Sequence, residues 1–329
     1  TGVLCRKLGL GRLEMAMAEA LPEVFRARLR EILEPDHCQA CWQSFAVAPP
    51  TAFRANGLKT NADALRAELQ DAGFTLEPLL WKPDVFLVSP SQRRALTESA
   101  AYVDGRLYIQ NPSSMVPPLL LDPQPDEWIL DLAAAPGSKT IQIAEMMGND
   151  GRISAVESVR GRFFRLQKNL KKHGVANVQT YLKDGARVWR QCREQFDRVL
   201  LDAPCSSEGQ FRADTPQTWA YWSEKKIAEM NRKQRKLLYS AVQCLKPGGA
   251  LVYSTCTFAP EENEAIIARA LRQFGSALDV EDIELPFANA EPGLVRWRGK
   301  AFDRRLRRAR RIVPQDGMEG FFVCRLRKF

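Results

Sequence analysis

The chain has 329 residues, 45% hydrophobic and 26% charged, with a net charge of +9. That length suits two domains, or one large α/β domain with an appendage, and the basic balance favours an anionic partner such as nucleic acid. No apolar run reaches the roughly 18 residues of a membrane span, residues 1–11 lack the apolar core of a secretory signal, and only two histidines, His37 and His173, argue against a histidine-based hydrolase or metal site.

Residues 14–34 carry apolar positions at helical spacing, with Pro22 near a helix start and a break at Pro35. After the Pro49-Pro50 pair, residues 51–59 predict a short strand. Asn61 can cap a helix that runs to Asp71 and stops at Gly73, and residues 84–88 predict another strand. The boundaries this gives are a helical segment over 1–48, a small α/β module of RNA-recognition type over 49–105, and a larger domain over 106–329. From about residue 126 apolar strands alternate with amphipathic helices. Strands are predicted at 127–132, 152–157, 178–183, 197–202 and 249–254, and helices at 138–147, 159–173, 224–245 and 260–273. Such alternation predicts a doubly wound, mostly parallel sheet, and 320–326 reads as a closing antiparallel strand.

In a doubly wound sheet ligands bind where strands end. The first strand runs into Asp131-Leu-Ala-Ala-Ala-Pro-Gly-Ser-Lys-Thr140, a small-residue loop that lets backbone approach a ligand. It matches neither the G-x-G-x-x-G of dinucleotide sites nor the phosphate loop G-x-x-x-x-G-K-[ST]. Read as structure alone, it is an ordinary turn with Gly137 and a capping Ser138. Glu157 and Asp184 close the next two strands and together outline a nucleoside pocket, Glu157 being placed for ribose hydroxyls. The fourth strand ends in Asp202-Ala-Pro-Cys-Ser-Ser-Glu-Gly209 and the fifth in Ser254-Thr-Cys-Thr257, putting Cys205 and Cys256 at neighbouring strand ends. Two buried inert thiols are the plain alternative. No histidine sits near them for a metal, and no metal site is expected. The lone C-x-x-C, Cys38 to Cys41, has no second pair and reads as structural; the eight cysteines read as reduced thiols of a cytoplasmic protein. Spacing does not decide which of Cys205 and Cys256 is the nucleophile.

The stretches 131–140, 202–209 and STCTFAPEENE (254–264), with NPSSMVPPLLL (111–121), FRANGLK (53–59) and RIVPQDGMEGFFVCRL (311–326), resemble the Nop/Sun family of RNA cytosine-5 methyltransferases. Ala133 stands where many members have cysteine, and Gln315 where many have histidine. The resemblance implies a Rossmann-like class I methyltransferase fold and S-adenosylmethionine as cofactor. It places Ala133, Ala134, Ala135, Pro136, Gly137, Ser138 and Lys139 at the methionine end, Glu157 at the ribose, Asp184 near the adenine, and Asp202 between cofactor and base. It makes Cys256 the nucleophile and Cys205 the group that helps release product.

That chemistry needs a thiolate at carbon-6 of cytosine to make carbon-5 nucleophilic, with Lys139 as a candidate cation to favour the thiolate and Asp202 to stabilise charge on the ring. The target base must be unpaired or flipped out. Expected RNA contacts are Arg54 and Asn56 in the small module and the cluster Arg304, Arg305, Arg307 and Arg308, whose run continues through Arg310 and Arg311; Arg160, Arg162 and Arg165 read as plain surface. Ribosomal RNA is the first expectation, transfer RNA the second, for a monomer without a membrane partner. A DNA cytosine methyltransferase would need a large target-recognition insertion, a non-catalytic assembly protein would tolerate loss of Cys256 or Asp202, and a dehydrogenase would need the glycine fingerprint.

Overall fold

The structure is a computed structural model that describes residues 20–329; the first part of the helix expected over 14–34 lies outside them. Helix α1 (Glu23–Ile32) follows Pro22, and α2 (Pro35–Ala46) begins on the proline expected to break the chain. Proline suits a first helical turn, where its missing N–H costs nothing, so Pro35 opens a helix rather than a loop. Cys38 and Cys41 are buried on α2, and burial raises both thiols, Cys38 to about 11.

The small module is a four-stranded antiparallel sheet. It contains β1 (Thr51–Ala55), β2 (Glu77–Pro78), β3 (Val85–Val88) and β4 (Leu107–Ile109) in the order β2-β3-β1-β4. Between them runs α3 (Ala62–Asp71), whose cap Asn61 accepts from the Ala64 amide at 2.8 Å. The expected end at 105 falls short, because Leu107–Ile109 pairs with β1. Its alternation is too brief to read as a strand without its partner.

Helix α4 (Pro112–Leu121), capped by Asn111, leads into the larger sheet. That sheet holds β5 (Trp128–Asp131), β6 (Arg152–Glu157), β7 (Val178–Leu182), β8 (Phe196–Asp202) and β9 (Leu245–Thr255), all parallel, in the order β7-β6-β5-β8-β9. Short strands β10 (Leu278–Val280), β11 (Ala290–Pro292) and β12 (Arg310–Ile312) and the long β13 (Phe321–Lys328) complete it. β13 runs antiparallel to β9, as the last strand was expected to. Helices α5 (Ser138–Met146), α6 (Arg160–Lys172), α7 (Glu224–Cys244) and α8 (Glu264–Phe274) connect these strands. One core on β8 and β9 includes Val199, Leu201, Leu251 and Tyr253 under Leu238, Ile266 and Ile267 of α7 and α8. Strand order reverses between β5 and β8, and a doubly wound sheet opens a ligand crevice at such a switch point.

The N-terminal helices brace the site. Phe25 packs on Phe211 (ring centroids 4.8 Å apart) and on Trp222, in the segment after Cys205, and Phe45 packs on Phe258, two residues after Cys256. Arg28, buried, ion-pairs with Glu224 at 2.9 Å and Glu261 at 2.7 Å. Among the described residues no helix is long and apolar enough to cross a membrane.

Candidate active site

The loop after β5 is fixed from below. Asp131 is buried and accepts from the Thr140 hydroxyl at 2.6 Å, tying the strand end to the first turn of α5, and burial raises its carboxyl to about 6. Gly137 precedes that turn with φ +107, and a Cβ there would stand 2.9 Å from Leu166 Cδ1. The positive φ is what favours glycine there.

A cavity of about 1110 Å³ opens at the switch point, lined by Ala135, Pro136, Ser138, Lys139, Asp202 and Cys256 and, from the small module, by Tyr108 and Gln110. Asp202 at the end of β8 is held at both oxygens: Ser254 Oγ donates at 2.7 Å and Lys139 Nζ at 2.6 Å. Lys139 also donates to Ser114 Oγ at 2.7 Å. Its charge is therefore spent on orienting Asp202, not on a thiol as expected, and Ser114, from the 111–121 stretch, is a site residue the sequence reading missed. Of residues 251–260 only Cys256 is not buried. Its sulfur lies 3.3 Å from that of Cys205 and 3.6 Å from Ser207 Oγ. The contact with Cys256, then burial, pushes the Cys205 thiol well up.

Beneath the two cysteine loops lies a polar network that motif reading did not detect. Glu262 Oε2 accepts from the Ser206 amide at 3.0 Å and from Gln234 Nε2 at 2.7 Å, while its Oε1 meets Ser206 Oγ. Ser206 Oγ meets Thr257 Oγ1 at 2.8 Å, and Thr257 donates to Glu208 Oε2 at 2.8 Å. Glu208 also accepts from Trp222 Nε1 and the Phe258 amide. The three contacts between Glu262 and Glu208 share two hydroxyl hydrogens, so one of the two carboxyls keeps a proton. With Thr257 donating to Glu208, the Ser206 proton goes to Thr257 and the hydrogen between Ser206 and Glu262 comes from Glu262. Burial drives the same result, raising Glu262 to about 8. Gln234 Nε2 reaches on to the Pro204 carbonyl at 2.9 Å, and Gly209 N donates to the Cys256 carbonyl at 2.9 Å. The loops carrying Cys205 and Cys256 thus share one buried scaffold.

Other expected residues fall elsewhere. Glu157 is buried at the end of β6; one oxygen accepts from the Val159 amide at 2.8 Å and the other lies 3.7 Å from Arg162. Asp184 is exposed, caps the turn Gly185–Arg190, and borders a separate groove rather than this cavity. Ala133, Ala134 and Gly137 shape the loop without lining the cavity, whereas Arg162, read as plain surface, does line it. Arg54 and Asn56 are fully buried. Arg54 pairs with Glu145 on α5 and donates to Gln110 at 2.9 Å; Asn56 donates to the carbonyls of Gly105 and His173. They join the small module to the larger domain and, fully buried, present no donor at the surface for RNA. The 304–311 run also divides. Arg305 and Arg308 pair with Asp279 on β10, which lies beside the Leu326–Lys328 end of β13, opposite its Phe322 end next to Thr255. Arg311 is buried against Glu264, and only Arg304 and Arg307 of the six are exposed.

Residues 118–327 match the family model described as 16S rRNA methyltransferase RsmB/F, and 21–112 match the N-terminal domain of 16S rRNA methyltransferase RsmF. The chain belongs to the RsmB/F methyltransferase family. A tRNA (cytosine(49)-C(5))-methyltransferase of Pyrococcus abyssi is 40% identical over 278 residues, 84% of this chain and 88% of that protein. Ribosomal RNA small subunit methyltransferase F of Vibrio vulnificus is 38% identical over 317 residues, 94% of this chain, and the chain spans only 64% of its length. Among solved structures, a methyltransferase homologue from Pyrococcus horikoshii superimposes with a TM-score of 0.81 at 31% identity, covering 95% of this chain and 99% of that one. NSun6 from the same organism shares the fold, with a TM-score of 0.79 at 22% identity over 94% and 99% of the two chains.

Proposed function

We propose that this enzyme transfers a methyl group from S-adenosylmethionine to carbon-5 of cytosine in RNA, ribosomal RNA first, through a bond between Cys256 and carbon-6. The observation that carries this is the cysteine pair, 3.3 Å apart, beside the Lys139–Asp202 ion pair at the switch point. The donor set fits the cofactor: a close-approach loop of small residues for an amino-acid end, Glu157 at the end of β6, where ribose hydroxyls would compete with its long contact to Arg162, and no glycine cradle for phosphates. When bound, S-adenosylmethionine supplies an electrophilic methyl group.

The chain's own residues do the rest. The Cys256 thiolate bonds to carbon-6, the displaced ring electrons make carbon-5 nucleophilic, and carbon-5 takes the methyl. Asp202, fixed by Ser254 and Lys139, shares a proton with ring nitrogen 3 and through it stabilises the negative charge that the ring acquires there. Cys205, directly or through water, takes the carbon-5 proton, the ring double bond re-forms, and the Cys256–carbon-6 bond breaks with its electron pair returning to the Cys256 sulfur. Cys205 assists that release. A transfer RNA substrate is the second reading, favoured by the similarity to the Pyrococcus protein.

The test separates the two sulfurs. Cys256→Ala should abolish methylation of unmodified bulk RNA and any covalent adduct, whereas Cys205→Ala should accumulate a protein–RNA adduct that survives a denaturing gel. Reversed phenotypes would transfer the nucleophile to Cys205, and two variants indistinguishable from the parent would end the proposal. Sequencing the trapped RNA names the substrate.

A further inference from the structure

The arginines expected to hold RNA are largely consumed by acids, yet another set is not. On α7, Arg232, Arg235 and Lys236 follow the three- and four-residue spacing of one helix face and are all exposed. Arg269 of α8 and Arg187 and Arg190 of the turn after β7 join them around a groove of about 640 Å³. Asp184 is the one acid in its lining. It lies 3.5 Å from Arg187, and the other five cations have no carboxylate within 4.0 Å among the described residues. Tyr239 backs the groove and is itself fixed, stacked on Phe274 and edge-on to Trp189.

Like charges gathered this closely repel one another and are destabilising unless an anion is shared between them. Buried or paired arginines elsewhere, such as Arg28, Arg198 and Arg311, show how this fold treats cations with a structural task. Five of the six groove cations are arginine, whose planar fork suits phosphate oxygens better than a point charge does. Placement adds to the argument. Gln234, between Arg232 and Arg235 in sequence, turns inward to hold Pro204 next to Cys205, so the same stretch of α7 carries the catalytic loop on one side and the cations on the other. Asp184 brings the groove to the end of β7, on the edge where the catalytic strands end.

We propose that this α7–α8 groove is the surface that holds the phosphate backbone of the RNA substrate, in place of the 304–308 run. The proposal rests on the reading of the chain as an RNA-modifying enzyme, and its test is separable from that reading. The variant is Arg190→Gln/Arg232→Gln/Arg235→Gln/Arg269→Gln, compared with the parent and with Arg304→Gln/Arg307→Gln. The probe is a fluorescently labelled, cytidine-rich single-stranded RNA, titrated across a range of KCl concentrations. Each phosphate contact on a single strand contributes about 0.7 to the slope of log affinity against log salt. The quadruple variant should lose about 2–3 of that slope, raise KM for RNA at least tenfold, and keep both kcat at saturating RNA and affinity for S-adenosylhomocysteine. The Arg304/Arg307 variant should keep most of the parent slope. An unchanged slope and KM in the quadruple variant, or an equal loss in the Arg304/Arg307 variant, would overturn the groove. A parent that binds RNA through the groove yet never forms the Cys256 adduct leaves the groove standing and removes the methyl-transfer reading instead.

Discussion

Changing Glu262 to glutamine tests whether the buried scaffold under the two cysteine loops holds a proton. The carboxyl rises from its ordinary 4.5 to about 8, chiefly through burial. A folded state that keeps a proton which the unfolded chain releases loses stability as pH rises between those two values. The contribution is therefore fully present below pH 4.5, declines through neutrality and is gone above about pH 8. At about 1.4 kcal/mol per pH unit, the interval from 4.5 to about 8 corresponds to roughly 4–5 kcal/mol. Glutamine reproduces the protonated arrangement. Its carbonyl can accept from the Ser206 amide and Gln234, and its amide can donate to Ser206 Oγ. One added N–H has no assigned partner, which costs on the order of 1 kcal/mol.

Urea unfolding of the parent and Glu262→Gln, followed by tryptophan fluorescence, should give stabilities within about 1 kcal/mol of each other near pH 5. Trp222 donates to Glu208 in the same network, so the probe reports from the right place. Near pH 9 the variant should be the more stable by several kcal/mol, because the parent then carries an unneutralised buried charge. A stability difference that does not change with pH would refute the reasoning. So would a variant already several kcal/mol weaker at pH 5, since that outcome requires an ionised Glu262 in the native state.

Two further substitutions probe the frame around the site. Arg54→Ala strands Glu145 in a buried setting and should lower stability by about 3–5 kcal/mol in denaturant titration, while leaving the salt dependence of RNA binding at the parent value; a flattened salt slope would restore Arg54 as an RNA contact. Gly209→Ala would set a Cβ 2.0 Å from the Gly320 carbonyl oxygen. It should cost about 1–3 kcal/mol in thermal unfolding and slow adduct formation, because Gly209 also donates to the Cys256 carbonyl; parental stability and rate would show that this close approach relaxes freely.

What sequence reading could recover follows from the range of the interactions involved. The parallel strands are legible because their apolar runs are local: Arg152–Glu157 and Phe196–Asp202 stand within a residue of expectation, with their acids at the strand ends. Strand ends in turn fix which residues converge, so the encounter of Asp202, Cys205 and Cys256 follows once β8 and β9 are neighbours. Cation roles are a different matter. Arg54 and Arg311 read as available charge until their acids appear 91 and 47 residues away. Nothing within one helical or strand window reveals such partners.

The same physics explains why the groove on α7 escaped notice. A lysine- and arginine-rich face on an amphipathic helix is what any solvated helix presents, so Arg232, Arg235 and Lys236 carry no signal of their own. They become informative only when the fold sets Arg190 and Arg269 beside them and supplies no acids to pair with most of the set. Charge density in the sequence and charge availability in the structure are thus separate quantities, and phosphate binding depends on the second. In the densest run, 304–311, three of the six arginines, Arg305, Arg308 and Arg311, are paired with Asp279, Asp282, Asp303 and Glu264. The sparser set, drawn from three elements, stays available beside the helix that also steadies the catalytic loop.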